Sequence, residues 1–238
     1  MRHLDLTLPT PAENLALDEA LLEEAEQAEC PTETLRLWEP AEPMVVVGRS
    51  SQVDREVHRE ACRRAGVPIL RRPSGGAAIV TGPGCLMYAF VLSYRLRPAL
   101  RAVDHAHRFV LGTLAAALGP LVPDVACKAI SDLAVGRLKC SGNSIRCRQD
   151  HLLYHGTLLY DFPLQLVDRY LAMPPRQPDY RENRPHVAFL TNLPADAPAL
   201  RRALVAAWDA GEPCTDWPSD HTARLVAEKY SRREWNEG

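Results

Sequence analysis

Short apolar runs alternate with amphipathic, charge-bearing stretches along the chain, a pattern that predicts both strands and helices. Residues 35–38 alternate in polarity and residues 44–47 are continuously apolar and β-branched, which is typical of strands. Residues 103–118 have helical spacing of their apolar positions, and Gly119 and Pro120 follow as a stop. The same criteria predict further strands over residues 67–70, 79–80, 86–93, 130–135 and 152–160, and one that begins at Lys139.

The first predicted helix carries its own start signal. Thr10 is placed as the N-cap, Pro11 as the first helical residue and Glu13 as the third residue of a capping box. A charged segment over residues 54–65 also has helical spacing, and Gly66 is the expected C-terminal stop. Two closing helices are predicted over residues 196–210 and 222–230, after an irregular Pro- and Arg-rich segment around residues 172–192 that we interpret as a lid or a partner-contact loop.

Composition narrows the function classes. The 238 residues are 46% hydrophobic and 24% charged, which suffices for a full core in a single domain over residues 1–238. A net charge of −2 gives no general electrostatic reason to bind nucleic acid. No apolar run approaches the roughly 20 residues that a membrane helix needs. Seven cysteines without a C-x-x-C pair, and an N-terminus without the apolar core of a signal peptide, predict a soluble protein of the reducing cytoplasm.

Metal-ligand clusters are not predicted. His105 and His107 are two apart in a predicted helix and do not share a face. His151 and His155 are four apart, but their surroundings favour a strand, where such positions are too far apart for one metal ion.

A glycine-rich loop with two arginines is the first candidate for binding chemistry. It runs Arg71-Arg72-Pro73-Ser74-Gly75-Gly76-Ala77 between two predicted strands. Paired glycines expose backbone N–H groups that can cradle an anion, and the two arginines supply fork-shaped cations for carboxylate or phosphate. A tight hairpin turn with two exposed arginines is the alternative for this loop taken alone.

Two later motifs add weight to the binding interpretation. Lys139-Cys140-Ser141-Gly142-Asn143 follows a predicted turn at Gly136, and His155-Gly156-Thr157-Leu158-Leu159 lies in a predicted strand. In this order, the three motifs resemble those of the lipoate-protein ligase and octanoyltransferase superfamily, whose relatives include the biotin ligases. Residues 14–22 look like the family's opening helix and residues 45–52 like its strand before the loop, so the resemblance covers about residues 14–161.

The resemblance implies an α/β (α+β) fold with a mixed, largely antiparallel central sheet flanked by helices, as in biotin and lipoate ligase catalytic domains. It implies an enzyme that activates lipoate or octanoate with ATP and Mg²⁺ as an acyl-AMP. The acyl group would then go to a lysine of a lipoyl-acceptor domain, from a 2-oxoacid dehydrogenase or a glycine-cleavage H-type protein.

The resemblance also assigns residues to that chemistry. Lys139 is the implied catalytic cation, because a fixed charge stabilises the negative charge on the reacting carboxylate and α-phosphate. Asp132 would hold Mg²⁺ or the adenosine side, and His155 could equally be a satisfied core histidine. The implied substrate- and acyl-adenylate-binding residues are Arg71, Ser74, Gly75, Gly76, Ala77, Asp132, Ser141, Gly142, Asn143, His155, Gly156 and Thr157.

The chain departs from the family pattern at three places. The third glycine of the loop is Ala77, which narrows the backbone freedom there. A Gly-Asn pair after the loop is replaced by Gly82-Pro83-Gly84-Cys85, so its phosphate contact is in question. We also expect this ligase-like chain to lack the C-terminal accessory domain of two-domain ligases, so that either a separate accessory subunit supplies it or the chain does not adenylate.

An octanoyltransferase is the alternative enzyme. It would take the acyl group from acyl carrier protein through a cysteine thioester, with a thiolate activated by a nearby lysine. Cys127 is the preferred nucleophile, with Cys140 and Cys85 as further candidates, although each alone is more often a small core residue. A non-catalytic acyl-binding module is the third hypothesis, and the ligase is preferred over both.

Overall fold

Ten strands form two sheets in the computed structural model, which describes residues 1–238. The strands are β1 (Arg2–Asp5), β2 (Thr34–Trp38), β3 (Met44–Val47), β4 (Ile69–Arg71), β5 (Ile79–Thr81), β6 (Cys85–Ser93), β7 (Val125–Lys128), β8 (Asp132–Val135), β9 (Leu138–Cys147) and β10 (His151–Leu159). The large sheet has the order β1-β2-β6-β10-β9-β8-β7, and the small one has the order β4-β3-β5.

Nine α-helices surround the sheets. They are α1 (Pro11–Gln27), α2 (Val53–Glu56), α3 (Arg59–Ala65), α4 (Val103–Leu118), α5 (Gln165–Tyr170), α6 (His186–Phe189), α7 (Ala197–Ala207), α8 (Ser219–Leu225) and α9 (Arg233–Glu237). Short 3₁₀ turns occupy Pro98–Arg101 and Asp179–Arg181, and a π turn occupies Val226–Tyr230. No helix combines the length and apolarity required to cross a bilayer.

The large sheet is antiparallel except at one edge. β6 and β10 pair antiparallel over nine positions each, and only β1 and β2 pair in parallel. In the small sheet, β3 pairs parallel with β4 and antiparallel with β5. The predicted fold class, a mixed and largely antiparallel sheet flanked by helices, is confirmed.

The central strand β6 is buried on both faces, which explains its continuous apolar sequence. Tyr88 and Phe90 face the core beneath α4 and α7, where Phe90 packs against Trp208 with ring centroids 4.3 Å apart. Met87 faces the small sheet, and Ala89 faces α1. The large sheet therefore separates a helical core from a second layer made by α1 and the small sheet.

Helix α1 begins as its sequence predicts. The Thr10 backbone N–H donates to Glu13 Oε2 at 2.8 Å, and the Glu13 N–H donates to Thr10 Oγ1 at 3.3 Å, so the capping box is complete. The predicted boundaries of β3 and α4 are also confirmed.

Two predicted helices are interrupted. The helix expected over residues 54–65 is broken into α2 and α3, because Val57 forms a β-bridge with Leu171 and the His58 N–H donates to Tyr170 O at 2.8 Å. Gly66 ends α3 in the left-handed conformation, as predicted. The helix expected over residues 222–230 is instead α8 followed by the π turn.

Candidate active site

A cavity of about 380 Å³ lies between α1, the small sheet and the β8–β10 part of the large sheet. Nine residues predicted from the sequence line it: Gly76, Ala77, Asp132, Lys139, Gly142, Asn143, His155, Gly156 and Thr157. Arg72, one of the two arginines of the glycine loop, also lines it. Twelve further lining residues were not predicted to bind ligand: Leu15, Asp18, Val46, Ile79, Met87, Ala129, Ile130, Ser131, Ser144, Arg176, Gln177 and Pro178.

The glycine loop is fixed by its carbonyl groups and leaves its N–H groups free. Ser144 Oγ donates to Gly75 O at 2.8 Å, and Ser51 Oγ donates to Gly76 O at 3.1 Å. The backbone N–H groups of Gly75, Gly76 and Ala77 have no hydrogen-bond partner within the protein. Such a row of unpaired N–H groups is suited to an anion.

Two glycines are required by close backbone packing at this loop. A Cβ atom on Gly48 would lie 1.9 Å from Gly76 O, a distance that no side chain can accept. Gly76 itself has φ of +88°, in the left-handed region that favours glycine. The backbone of the glycine loop therefore packs directly against the backbone at the end of β3.

Arg72 lines the cavity. Its buried guanidinium donates to Gly75 O at 2.6 Å, to Ala77 O at 2.9 Å and to Val46 O at 3.2 Å. Burial lowers the pKa of Arg72 to about 10, opposed by the charge of Glu56. Arg72 therefore holds the glycine loop from the cavity side, whereas the family resemblance assigns the substrate contact to Arg71.

Arg71 does not line the cavity, which corrects its placement at the acyl-phosphate. Its guanidinium donates to the carbonyls of Gly48 (2.7 Å), Ser51 (2.9 Å) and Trp235 (2.8 Å). Its backbone N–H donates to Asn236 Oδ1 at 3.0 Å. Arg71 therefore ties the glycine loop to α9 from behind through its Nε and Nη1 donors.

Lys139 and Asp132 form an ion pair at the centre of the cavity wall. Lys139 Nζ lies 2.7 Å from Asp132 Oδ1, and the Tyr180 hydroxyl donates to Asp132 Oδ2 at 2.8 Å. Burial, together with the charge of Asp132, raises the pKa of Tyr180, so the phenol stays a donor. The hairpin of β8 and β9 carries the pair, as predicted, whereas Tyr180 comes from the irregular segment and was missed.

Asn143 and Gly156 support the rim of the cavity. The Tyr88 hydroxyl donates to Asn143 Oδ1, and Asn143 Nδ2 donates to Ser131 O and to Ser141 Oγ, both at 3.0 Å. A Cβ atom on Gly156 would lie 2.1 Å from Asn143 Oδ1, so the strand must carry glycine here. Ser141 belongs to this hydrogen-bond network but does not line the main cavity.

His155 lies against the glycine loop. Its Nε2 is 2.5 Å from Ser74 Oγ, and its Nδ1 is 3.6 Å from Asp18 Oδ2. Ser74 is buried and reaches the cavity only through this contact. Asp18 lies on α1 and was not singled out from the sequence, because its partner is 137 positions away.

None of the candidate nucleophilic cysteines lines the cavity. Burial raises the pKa of both Cys85 and Cys140 to about 12, and Cys140 Sγ donates to Leu133 O at 3.3 Å. Cys127 is exposed and pairs with Leu133, whose side chain is in the core beneath α4. Paired residues share a sheet face, so Cys127 lies on the face opposite to Lys139.

The irregular segment around residues 172–192 covers one side of the site. Arg176, Gln177 and Pro178 line the main cavity, and Arg184 Nη2 donates to Arg137 O at 2.9 Å. A side cavity of about 100 Å³ shares Lys139, Gly142 and Thr157 with the main one and extends to Arg181 and Phe189. The predicted lid or partner-contact loop is therefore next to the site.

No group of three or more His, Cys, Asp or Glu side chains is placed to hold a metal ion by itself. Of the two carboxylates that line the cavity, Asp18 is paired with Arg36 and Asp132 with Lys139. The cavity thus offers a lysine cation, free backbone N–H groups and an apolar region formed by Leu15, Val46, Ile79 and Met87.

Comparisons with known proteins agree with the family resemblance of the sequence motifs. A family model described as the lipoyl protein ligase A/B catalytic domain matches residues 10–198. A putative lipoate-protein ligase A of Aeropyrum pernix is 36% identical over 156 residues, which are 66% of this chain and 56% of that protein. An octanoyltransferase LipM of Geobacillus kaustophilus is 25% identical over 274 residues, covering 99% of this chain and 97% of that protein.

Solved structures of similar fold include lipoate ligase proteins of Thermoplasma acidophilum. One is described as a bi-partite lipoate protein ligase with its E2 lipoyl domain, and matches with a TM-score of 0.85 at 21% identity over 100% of this chain and 96% of that chain. Another, a putative lipoate protein ligase with bound lipoic acid, matches with a TM-score of 0.81 at 21% identity over 100% of this chain and 98% of that chain. At 21% identity, these structural similarities show a shared fold alone.

Proposed function

The chain belongs to the lipoyl protein ligase A/B catalytic-domain family, and on that premise we propose that it activates lipoate or octanoate with ATP and transfers the acyl group to a lysine of a lipoyl-acceptor domain. The first step would form acyl-AMP and release pyrophosphate. In the second step, the acceptor amine would attack the acyl carbon and displace AMP.

Lys139 and two backbone N–H groups without an internal partner line one cavity, and this observation supports the proposal most strongly. A carboxylate that attacks an α-phosphate brings two anions together, and a fixed cation with aligned N–H groups offsets that repulsion without reorganisation. Asp132 holds the Lys139 ammonium in place before substrate enters. Gly76 and Ala77 carry the free N–H groups.

The lining of the cavity includes both apolar and polar side chains, which suits an acyl-adenylate. Val46 and Met87 are among the apolar side chains, which fit a hydrocarbon chain. Ser131, Asn143 and Gln177 are among the polar side chains, which fit a nucleotide. Lys139 would then act at the mixed anhydride.

Mg²⁺ fits this site only if substrate phosphate groups supply the remaining ligands. Asp132 is the carboxylate placed to contribute to it, since Asp18 is held by Arg36, and Mg²⁺ commonly binds one or two carboxylates plus substrate phosphates. The ion would supply additional positive charge to the phosphates of ATP.

An octanoyltransferase remains the second candidate, because the Geobacillus octanoyltransferase aligns with nearly the full length of both chains. That chemistry needs a thiolate beside the acyl group. Cys127 lies on the opposite sheet face from Lys139, and burial raises its pKa, so the arrangement favours the ligase.

The acceptor would approach the rim at Ile130, which is 71% exposed on a loop where Ala129 has φ of +49°. We infer an acceptor of the lipoyl-domain type, from a 2-oxoacid dehydrogenase or a glycine-cleavage H-type protein. A separate accessory subunit that covers the acyl-adenylate would reduce its hydrolysis.

Intact mass spectrometry of a lipoyl domain tests the proposal. The domain is incubated with this protein and either lipoate plus ATP or octanoyl carrier protein without ATP. We expect a lipoyl adduct only with lipoate and ATP. An octanoyl adduct without ATP would instead support the transferase, and no adduct from either donor would support a binding module.

A further inference from the structure

Asp18, His155 and Ser74 form a chain of contacts that joins α1 to the glycine loop through β10. His155 Nε2 lies 2.5 Å from Ser74 Oγ, and His155 Nδ1 lies 3.6 Å from Asp18 Oδ2. All three residues are buried, with 1% to 8% of their surface exposed. Asp18 and His155 line the main cavity, and Ser74 precedes the two glycines of the loop.

Arg36 holds Asp18 from the opposite side. Its fully buried guanidinium donates to Asp18 Oδ1 at 2.6 Å, to Asn14 Oδ1 at 2.6 Å and to Leu6 O at 3.0 Å. Because Oδ1 is occupied by Arg36, the carboxylate is oriented with Oδ2 towards His155. Arg36 also supplies the positive charge that balances the buried carboxylate.

Asp18 Oδ2 faces Nδ1 of His155 at 3.6 Å, slightly beyond hydrogen-bond length. Because a carboxylate oxygen only accepts, its negative charge favours the tautomer with the proton on Nδ1. Nε2 is then an acceptor, and the hydroxyl of Ser74 donates to it. Ser74 is thereby anchored at the start of the turn whose Gly76 and Ala77 N–H groups line the cavity.

We propose that Asp18 is a positioning residue, which fixes the tautomer of His155 so that Nε2 accepts from Ser74 and holds the glycine loop in its ligand-binding conformation. This inference rests on the proposed function, because the loop is the one assigned to the acyl-phosphate. It gives Asp18 a role beyond joining α1 to β2 through Arg36.

The groups that face His155 support Asp18 as the residue that sets its tautomer. On one side of His155 lie Asp18 of α1 and, beyond Asp18, Arg36 of β2. The other charged groups are Arg72 at the start of the glycine loop and the Lys139–Asp132 pair of the β8–β9 hairpin. The paired residue on β6 is the uncharged Ala89. Among these, Asp18 is the anion nearest to the imidazole.

Asp18→Asn separates positioning from a purely structural role. The amide can keep its oxygen towards Arg36 and turn its NH₂ group to Nδ1, which favours the tautomer with the proton on Nε2. At neutral pH, acyl transfer should fall by about tenfold, as for other partners that orient a functional histidine.

Glu26→Gln is the matched control. Glu26 Oε1 lies 3.2 Å from Nδ1 of His151, a histidine four residues earlier on the same strand and outside the cavity. This variant removes the same charge beside a β10 histidine. It should leave both the rate of acyl transfer and the His155 tautomer unchanged.

The experiment combines ¹⁵N spectra of histidine-labelled full-length protein with rates of acyl transfer to a lipoyl domain at neutral pH. We expect the Nδ1–H tautomer of His155 in the wild type, and the Nε2–H tautomer with slower transfer in Asp18→Asn. An unchanged tautomer in a folded Asp18→Asn variant would overturn the proposal. If that variant does not fold, the wild-type spectrum decides, because an Nε2–H tautomer there also overturns it. Absence of acyl transfer by the wild type would count against the proposed function, whereas the spectra would still test Asp18.

Discussion

Lys139 Nζ lies 2.7 Å from Asp132 Oδ1, in an ion pair shared with the hydroxyl of Tyr180 and placed where the two cavities meet. The lysine side chain is 26% exposed and that of Asp132 is 7% exposed, so an entering anion can reach the ammonium from the cavity side. The ion pair orders a flexible lysine before the substrate arrives, which lowers the cost of positioning it.

Lys139→Ala should reduce acyl transfer by roughly 100-fold or more, because it removes the cation that stabilises the reacting carboxylate and phosphate. Steady-state kinetics with the lipoyl domain measure this effect. Lys128→Ala is the matched control on β7, two strands from β9 in the same sheet, since Lys128 does not line either cavity next to Lys139. Equal activities of the two variants would remove Lys139 from the mechanism.

Gly48→Ala should abolish acyl-ligand binding, because its Cβ atom would lie 1.9 Å from Gly76 O and the loop would have to move. Calorimetric titration with lipoate measures binding. Gly75→Ala is the comparison within the loop, since a Cβ atom there meets no other atom within 4 Å and should cost much less. Wild-type affinity in Gly48→Ala would show that the loop does not contact the ligand.

Sequence patterns predict the scaffold of the site better than its inner contacts. The capping box of α1 and the hairpin that carries Lys139 are local features, and both are confirmed. The choice between Arg71 and Arg72 is not local, because adjacent residues at the end of a strand point to different sides and only the surrounding fold determines which one meets the cavity.

Distant partners account for most of what the sequence leaves open. Asp18 meets His155 across 137 positions, and Trp235 meets Arg71 across 164. Tyr180 lies in a segment without regular periodicity, so no pattern marks it as a partner of Asp132. The break between α2 and α3 likewise depends on the bridge from Val57 to Leu171, which tertiary packing imposes on a helical pattern.

Ile130→Asp should weaken recognition of the acceptor without changing the first half-reaction. Ile130 lies at the rim of the cavity and is 71% exposed, so a charge there would disturb an apolar contact with the docking domain. The KM for the lipoyl domain should rise about tenfold, the loss expected for a contact worth about 1.4 kcal/mol. The rate of acyl-adenylate formation, measured without acceptor, is the internal control. A parallel loss in both half-reactions would place Ile130 in the adenylate site instead.

Native alkylation should distinguish the cysteines by their surroundings. Raised pKa values leave less thiolate at a given pH, so Cys85 and Cys140, with pKa values of about 12, should react with iodoacetamide at about pH 8 only after unfolding. Partial burial also raises the pKa of Cys127, which should react no faster than the exposed Cys30. Peptide mapping by mass spectrometry measures these rates. Preferential labelling of Cys127 with loss of acyl transfer would favour the thioester route.

Lipoate-dependent exchange of labelled pyrophosphate into ATP tests acyl-adenylate formation most directly, because it does not require the acceptor domain. The ligase account predicts exchange with the wild type and with Cys127→Ser, and roughly 100-fold less with Lys139→Ala. Absence of exchange, together with a hydroxylamine-sensitive octanoyl adduct on Cys127 formed from octanoyl carrier protein without ATP, would contradict it.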